Sequence, residues 1–330
     1  MMNKPSFLAM GLLLAAIAVI PVFAGDFWIG LVIKILIFGL LALSVDLLLG
    51  HAGLLSLCHA SFFAVSAYTV AILQVRHGLP MAVAAPSGIL LGTLLAVVFG
   101  IAVRTRGVYF ILVTIALGFI IWGVTYRWAS FTGGDNGITN VPYPAIGEWR
   151  VTSMTTYYYV VLALVTLYAF AYRVLIASPF GLTLRGIKSS ESRMRSLGFN
   201  PTRHLYVAFV ISGFMASSAG VLYIYFNRFV NPATAHFHIS VEVVLMTIIG
   251  GTGTIIGPFL GSSIILTLRN WISGFIPYYM TIMGLVFIVT VLFAPNGIVG
   301  LFNRWRKRSE DARTGTAEVP EAGPNAEPRA

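Results

Sequence analysis

The chain has 330 residues, of which 58% are hydrophobic and only 10% are charged, and its formal net charge is +10. A soluble domain has about a quarter of its residues charged, so this composition excludes an ordinary soluble fold. The cations gather in a few loops rather than on one face, which argues against nucleic-acid binding and for orientation in a membrane.

Apolar runs of about 20 residues recur along most of the chain, and each can cross a hydrocarbon core about 30 Å thick. The runs lack the alternating polarity that marks the strands of a β-barrel. We therefore predict an all-α polytopic transmembrane bundle with ten crossings, at 5–24, 28–49, 53–74, 81–103, 107–128, 157–177, 204–226, 238–250, 256–272 and 278–297. The first run is longer than the core of a typical signal peptide, so we expect it to be retained.

The eighth predicted crossing is short, and the ninth follows a glycine-rich break, so these two are predicted to be re-entrant or broken helices. Gly250, Gly251 and Gly253 permit such a break together with close helix packing. The same glycines have a spacing like that of a phosphate-binding loop, but no Gly-Lys-Ser/Thr follows them.

The positive-inside rule predicts the orientation of this scheme. With a cytoplasmic N-terminus, the cytoplasmic side receives Lys4, Arg104, Arg106, Arg173, the basic residues of 185–203 and the tail beginning "NRWRKR". The outer side receives the smaller set Arg76, Arg127, Arg150 and Arg228. Both termini are therefore expected in the cytoplasm. Residues 1–303 would form one transmembrane domain, and 304–330 a basic and then disordered tail.

The loop at 178–203 is basic and half-amphipathic, although it joins two apolar runs. If it is helical, four apolar residues share a broad face: Leu184, Ile187, Met194 and Leu197. Pro179 and Pro201 bracket the loop, and glycines at 181, 186 and 198 interrupt it, so two short helices are favoured over one. Such a segment could lie on anionic lipid or dock into a groove on a soluble partner.

Several stretches resemble LivM-type permeases, the membrane subunits of bacterial ABC importers for branched-chain amino acids. The loop and the following helix, "SPFGLTLRGIKSSESRMRSLGFNPTRHLYVAFVIS", resemble the family's cytoplasmic loop. Similar stretches are "LLLGHAGLLSLCHASFF" from 47, "RTRGVYFILVTIALGFI" from 104, "FTGGDNGITNVP" from 131 and "SVEVVLMTIIGGTGTIIGPFLG" from 240. Together they cover most of 40–300 in the family's order. Departures are Cys58, Asp46 and Ser66, where the family often has glycine, asparagine and glycine.

The resemblance implies a permease subunit that translocates branched-chain amino acids delivered by an extracytoplasmic binding protein in the bacterial inner membrane. It implies partners as well: ABC ATPase subunits that use ATP and Mg, and a second permease subunit, identical or related. The ATPase-coupling residues implied in the loop are Gly181, Arg185, Ile187, Glu191, Arg193, Arg195 and Gly198. The external loop implied by "TGGDNG" includes Gly133, Gly134, Asn136 and Gly137. Alternatives are a permease of the same class for urea, amides or aromatic acids, or an ion-coupled secondary transporter.

Ionisable groups at membrane depth are costly and indicate function by default. Lys34 and Arg269 lie near external ends, where a structural role is favoured, and Asp46 lies a turn before Gly50, where it could cap or pair with a neighbour. Glu242 is predicted to hold the broken helix or line the path, and His51 and His59 to serve helix packing. The path or helix-break candidates are Asp46, Gly53, Ser56, His59, Glu242, Gly250, Gly251 and Gly253.

The sequence offers no nucleophile with a positioned base, no phosphate cradle and no Cys/His cluster with metal spacing. The chain is therefore predicted to be a non-catalytic transport subunit without a metal or cofactor of its own. Hydrolysis of ATP would belong to a separate chain.

Overall fold

The structure is a computed structural model that describes residues 18–21, 25–146 and 149–273, together with Gly284 and Gly297. The first and tenth predicted crossings lie almost wholly outside the described residues, as does the predicted tail at 304–330. The remaining eight predicted crossings can be compared with the structure.

Helices dominate the described residues. They are α1 (Asp26–Asp46), α2 (His59–Val75), α3 (Met81–Phe99), α4 (Val108–Arg127), α5 (Ala129–Thr132), α6 (Met154–Ala177), α7 (Pro179–Ser189), α8 (Glu191–Ser196), α9 (Pro201–Asn227), α10 (Phe237–Gly250) and α11 (Gly257–Ser273). A π-helical segment at Leu47–Ala52 continues α1, and 3-10 turns cover Gly100–Arg104, Gly134–Asn136 and Pro232–Ala235. A two-residue hairpin pairs β1 (Ala145–Ile146) with β2 (Trp149–Arg150).

Five of the described helices are long and apolar enough to cross a membrane. They are α1 with its π-helical extension, α3 with its 3-10 extension, α4, α6 and α9. The helices α2 and α10 are apolar but shorter. This architecture confirms the prediction of an all-α polytopic membrane bundle.

The centre of the bundle is α1, which packs on α6, α9, α10 and α11. Its residues from Leu36 to Leu48 are buried without interruption, so its hydrophobicity on all sides reflects a central position. By contrast, α4 buries only a narrow stripe that includes Phe110, Thr114 and Gly118. The other faces of α4 are apolar and exposed, as expected for a helix at the edge of a membrane bundle.

Prolines and glycines set several helix boundaries. Pro179 and Pro201 occupy first-turn positions of α7 and α9, so α9 begins two residues before the predicted end of the loop at 203. The third predicted crossing differs from the structure, because α2 begins at His59 rather than at 53. Gly53 adopts a left-handed φ of 74° that ends the π-helical segment, and residues 53–58 are not helical.

The loops that the positive-inside rule assigns to the same side of the membrane contact each other at the same end of the bundle. Arg106 forms an ion pair with Glu191, which joins two loops predicted to be cytoplasmic. At the opposite end of α3, Arg76 Nη1 donates to the carbonyl oxygen of Ser130 at 2.6 Å. There too, Arg228 Nε donates to the carbonyl oxygen of Val141 at 2.9 Å. The sides into which the charge rule sorts these loops are therefore physically separate surfaces.

Candidate functional site

The predicted coupling loop forms two short helices, α7 and α8, anchored on the bundle by α7. Leu184 and Ile187 are buried, with 0% and 5% of their surface exposed. A Cβ at Gly181 would overlap the backbone at Ile176, so a glycine lets the start of α7 fold tightly back on the end of α6. Arg185 Nη2 donates to the Ile176 carbonyl oxygen at 3.2 Å and secures the same corner.

The second helix, α8, is held by charge rather than by burial. Glu191 accepts from Arg195 Nη2 at 2.8 Å and also pairs with Arg106. No residue of α8 is buried. The Arg193 side chain is exposed, and Gly198 ends the segment with a φ of 86°.

The apolar face predicted for the loop is corrected by this arrangement. The break between the helices falls at Ser190, where the side-chain oxygen caps α8, and not at Gly186, which lies inside α7 beneath Met194. Because of the break, Leu184 and Ile187 face the bundle, whereas Leu197 is 66% exposed. The exposed apolar surface of the loop consists instead of Leu182, Leu197 and Phe199.

Asp46 is fully buried at the end of α1 and joins three parts of the chain. Its Oδ2 accepts a hydrogen bond from the Tyr172 hydroxyl of α6 at 2.8 Å. Its Oδ1 accepts from the backbone N–H of Gly253 at 2.7 Å, in the break between α10 and α11. Asp46 thus pairs with two groups that lie 126 and 207 positions away in the sequence.

Lys188 of α7 contacts the π-helical segment at Leu47–Ala52 and the turn at Gly53 that follows it. Its Nζ donates to the carbonyl oxygen of Gly50 at 2.7 Å. A Cβ at Gly53 would lie 3.0 Å from Lys188 Cγ, so the lysine stem runs directly over this glycine. The imidazole of His51 lies edge-on to the Tyr172 ring and 3.9 Å from Asp46 Oδ2.

His59 lies in the bundle core rather than on an open surface. Its Nε2 is 2.7 Å from the Ser212 hydroxyl, which itself donates to the carbonyl oxygen of Ser44. This chain of contacts joins α2, α9 and α1, in agreement with the packing role expected for this histidine. Ser56 is also buried, with its hydroxyl 3.4 Å from the Cys58 sulfur.

Glu242 ties the two broken helices together. Arg269 Nη1 of α11 lies 2.9 and 3.1 Å from the two carboxylate oxygens of Glu242 in α10. Lys34 lies nearby, with its Nζ 5.8 Å from the centre of the Phe226 ring. Of the roles predicted for Glu242, the structure shows the contact needed to hold the broken helix.

The break between α10 and α11 is built on close backbone contact. A Cβ at Gly250 would overlap the carbonyl oxygen of Gly257, and a Cβ at Gly261 would overlap that of Met246. Gly251 and Gly253 have φ values of 119° and 78°. Gly250 and Gly261 therefore allow close backbone approach at the break, and Gly251 and Gly253 adopt backbone conformations that favour glycine.

The predicted external loop folds against the segment that follows α9. Ile138 and Val230 exchange two backbone hydrogen bonds, of 2.8 and 3.1 Å. Gly133, Gly134 and Gly137 all have positive φ, and a Cβ at Gly137 would overlap the Val230 carbonyl oxygen. Asn136 is exposed beside them. The glycines thus shape a fixed loop.

Sequence reasoning missed three residues that organise the site: Tyr172, Lys188 and Ser212 as a hydrogen-bond partner of His59. Tyr172 ends an apolar run, and Lys188 is one of several cations in a basic loop, so neither has a distinctive local pattern. A polar group near the end of a predicted crossing was the one available signal. Among the described residues, no group of three or more His, Cys, Asp or Glu could hold a metal ion.

Comparison with known proteins places these features in a family. The family model for the branched-chain amino acid transport system permease component matches residues 27–291. The chain is 29% identical over 288 residues to the high-affinity branched-chain amino acid transport system permease protein LivM of Salmonella typhimurium, covering 80% of this chain and 68% of the relative. Its identity to the LivM protein of Escherichia coli K12 is 28% over 304 residues, covering 85% and 72%.

A more distant relative is named for the transport of a different molecule, ribose. The ribose import permease protein RbsC of Haemophilus influenzae is 22% identical over 308 residues, covering 90% of this chain and 94% of the relative. No solved structure gave a significant match.

Proposed function

We propose that this chain, which belongs to the family of branched-chain amino acid transport system permease components, is the membrane-spanning subunit of an ATP-driven importer. The transported molecules would be branched-chain amino acids. The chain itself is a transport subunit. The ATPase, the second permease subunit and the extracytoplasmic binding protein are proposed partners. ATP and Mg would be used by the ATPase.

The observation that carries the proposal is the two-sided construction of α7 and α8. One side is buried on the bundle through Leu184 and Ile187. Leu182, Leu197 and Phe199 of the same segment are exposed, as is the cation of Arg193. A short apolar ridge edged by charge fits a groove on a soluble partner, and its rigid attachment would let a movement of that partner reach the membrane helices.

The proposed docking surface supports a cytoplasmic location for α7 and α8, because the ATPase subunits would bind ATP in the cytoplasm. The charge rule predicts the same orientation. The opposite end, with the fixed loop at 131–142 and the segment at 228–231, would then face the binding protein. We propose residence in the bacterial inner membrane with both termini in the cytoplasm.

The direct test is to co-express the chain with its ATPase subunits and compare two variants. Arg193→Glu combined with Leu197→Asp changes two exposed side chains, so it should release the ATPase while leaving the folded chain intact. Arg150→Glu, a charge reversal at the opposite end of the bundle, is the control for co-purification and should retain the ATPase. If the double variant still co-purifies with the ATPase and supports ATP-dependent leucine uptake, the docking assignment is wrong.

An ion-coupled secondary transporter would need a carboxylate at membrane depth that is free to exchange its ion. The two such carboxylates among the described residues are both engaged, Asp46 by two hydrogen bonds and Glu242 by Arg269. Gradient-driven uptake by the purified chain in liposomes, without any ATPase, would favour that rival.

A further inference from the structure

Two interruptions of membrane helices meet at one carboxylate. The first is the segment at 47–53, where α1 becomes π-helical and ends, and the second is the break at 251–256. Asp46 precedes the first, and its Oδ1 accepts the N–H of Gly253 in the second. A Cβ at Gly50 would overlap both Asp46 Oδ1 and the nitrogen of Gly253, so the two backbones are already in contact. One break cannot shift far without displacing the other.

Lys188 extends this contact to the helix proposed to receive the ATPase. Carbonyl oxygens in the last turn of a helix lack a donor from their own helix. The Gly50 carbonyl oxygen is in this position, and it accepts a hydrogen bond from the Lys188 ammonium at 2.7 Å. Hydrogen bonds to a charged group are among the stronger ones in proteins. Tyr172, which donates to Asp46 Oδ2, lies in the last turns of α6, directly before α7 begins.

We infer that Lys188 and Asp46 are positioning residues that make α7, the segment at 47–53 and the break at 251–256 move as one body. The inference rests on the proposed function and names the route of its coupling. A displacement of α7 passes through Lys188 to Gly50, and from Asp46 to Gly253. It thereby reaches the break at which α10 ends and α11 begins.

Hydrogen–deuterium exchange of the purified full chain in nanodiscs tests the route without any transport. Lys188→Met removes the bond to Gly50 but leaves Asp46 and Gly253 in place. If the three parts move together, exchange rises at 47–53 and also at 251–256. Arg104→Met, an exposed cation at the same end, is the control and should change neither segment. Faster exchange confined to 47–53 would overturn the inference.

Asp46 is tested by a conservative and a disruptive substitution in the complex with ATPases, with leucine as the transported probe. Asp46→Asn keeps an oxygen for the Gly253 N–H and can donate to Tyr172, so it should retain the uptake per ATP of the natural chain. Asp46→Leu has a similar size but no acceptor, and should lower uptake per ATP about tenfold, while ATP hydrolysis continues. Equal loss of hydrolysis and uptake, in step with less assembled complex, would indicate a merely structural role and overturn the inference.

A reversible crosslink gives the sharpest test. A Cβ at Gly53 would lie 3.6 Å from Lys188 Cβ, within the range of a disulfide. In a Cys58→Ser background, the reduced Gly53→Cys/Lys188→Cys protein lacks the lysine bond and has a side chain at a left-handed position, so it should hydrolyse ATP with poor uptake. Oxidation restores the link, so uptake per ATP should recover. If oxidation blocks uptake instead, α7 slides against this segment and the inference fails.

Measurements on the natural chain distinguish failure of the proposed function from failure of the inferred joint movement. If its complex shows no ATP-driven leucine uptake, the proposed function fails, and the exchange experiment still decides the movement of the three parts. If the natural complex transports leucine and the variants all match it, the inference alone fails.

Discussion

The guanidinium of Arg269 lies 2.9 and 3.1 Å from the two carboxylate oxygens of Glu242, so one ion pair joins the helices on either side of a glycine break. The pair lies in a setting where a solitary charge is expensive. The Glu242 side chain is 5% exposed and that of Arg269 is 31% exposed.

Removing the arginine is therefore expected to cost more than removing the acid. Arg269→Met leaves a buried carboxylate unpaired and should lower the free energy of unfolding by about 2–3 kcal/mol, below the cost for a fully buried pair because Arg269 is partly exposed. Glu242→Gln leaves a cation that can turn outward, and should cost less. The double variant has no buried charge and should be more stable than Arg269→Met alone, as thermal unfolding in detergent can measure. Strictly additive effects would contradict the pairing.

The packing of α10 on α11 predicts a large difference between two glycine substitutions. Gly261→Ala places a methyl group on the carbonyl oxygen of Met246, so the helices must separate, at a cost of about 3 kcal/mol or more. Gly123→Ala in α4 meets nothing within 4 Å and should stabilise its helix by up to about 1 kcal/mol. Unfolding temperatures of both variants test this, and a tolerated Gly261→Ala would contradict the close approach.

The loop at 131–142 predicts a similar contrast between two glycines with positive φ. Gly137→Ala adds backbone strain and an overlap with the Val230 carbonyl oxygen, so it should detach the loop from the segment after α9. Gly78→Ala adds strain of about 1–2 kcal/mol and no overlap, since nothing lies within 4 Å. Limited proteolysis should cleave the 131–142 loop faster in Gly137→Ala only. Equal cleavage of both variants would indicate that the backbone hydrogen bonds between Ile138 and Val230 do not hold the loop.

The pair of Arg106 with Glu191 should matter for position rather than stability. Both side chains are partly exposed, at 41% and 25%, so Arg106→Gln should change the free energy of unfolding by less than about 1 kcal/mol. It should nevertheless loosen α8, which buries no residue of its own. Trypsin cleavage after Arg193 should become faster in the variant and, at high salt, in the natural chain. An unchanged cleavage rate in both conditions would contradict the role of this pair.

Boundaries that depend on local chemistry were predictable. Pro179 and Pro201 mark the ends of the loop because proline fits the first turn of a helix and interrupts its interior. The break after Gly250 was also predictable, since closely spaced glycines weaken a helix and allow backbones to approach. The start of α2 was not, because residues 53–58 are apolar enough to extend a crossing and only the turn at Gly53 separates them from it.

The direction of the side chains in the loop at 178–203 was not predictable from its pattern. Leu197 has the same hydrophobicity as Leu184, yet one is exposed and the other buried, because the extended backbone at Ser190 ends α7 and later residues do not continue its buried face. The role of Glu191 depends likewise on Arg106, which belongs to a loop 85 positions earlier in the numbering.

The sequence by itself determined that the protein is a membrane-spanning helical bundle with a basic loop and a glycine break, because hydrophobic length, charge distribution and backbone freedom are local properties. Only the tertiary structure decided which polar groups meet. Lys188 reaches Gly50 across 138 positions, and Asp46 reaches Gly253 across 207, and no local pattern marks those pairs. The physical reason is that a buried polar group must find a partner, but the folded arrangement of the helices alone determines which partner lies within reach.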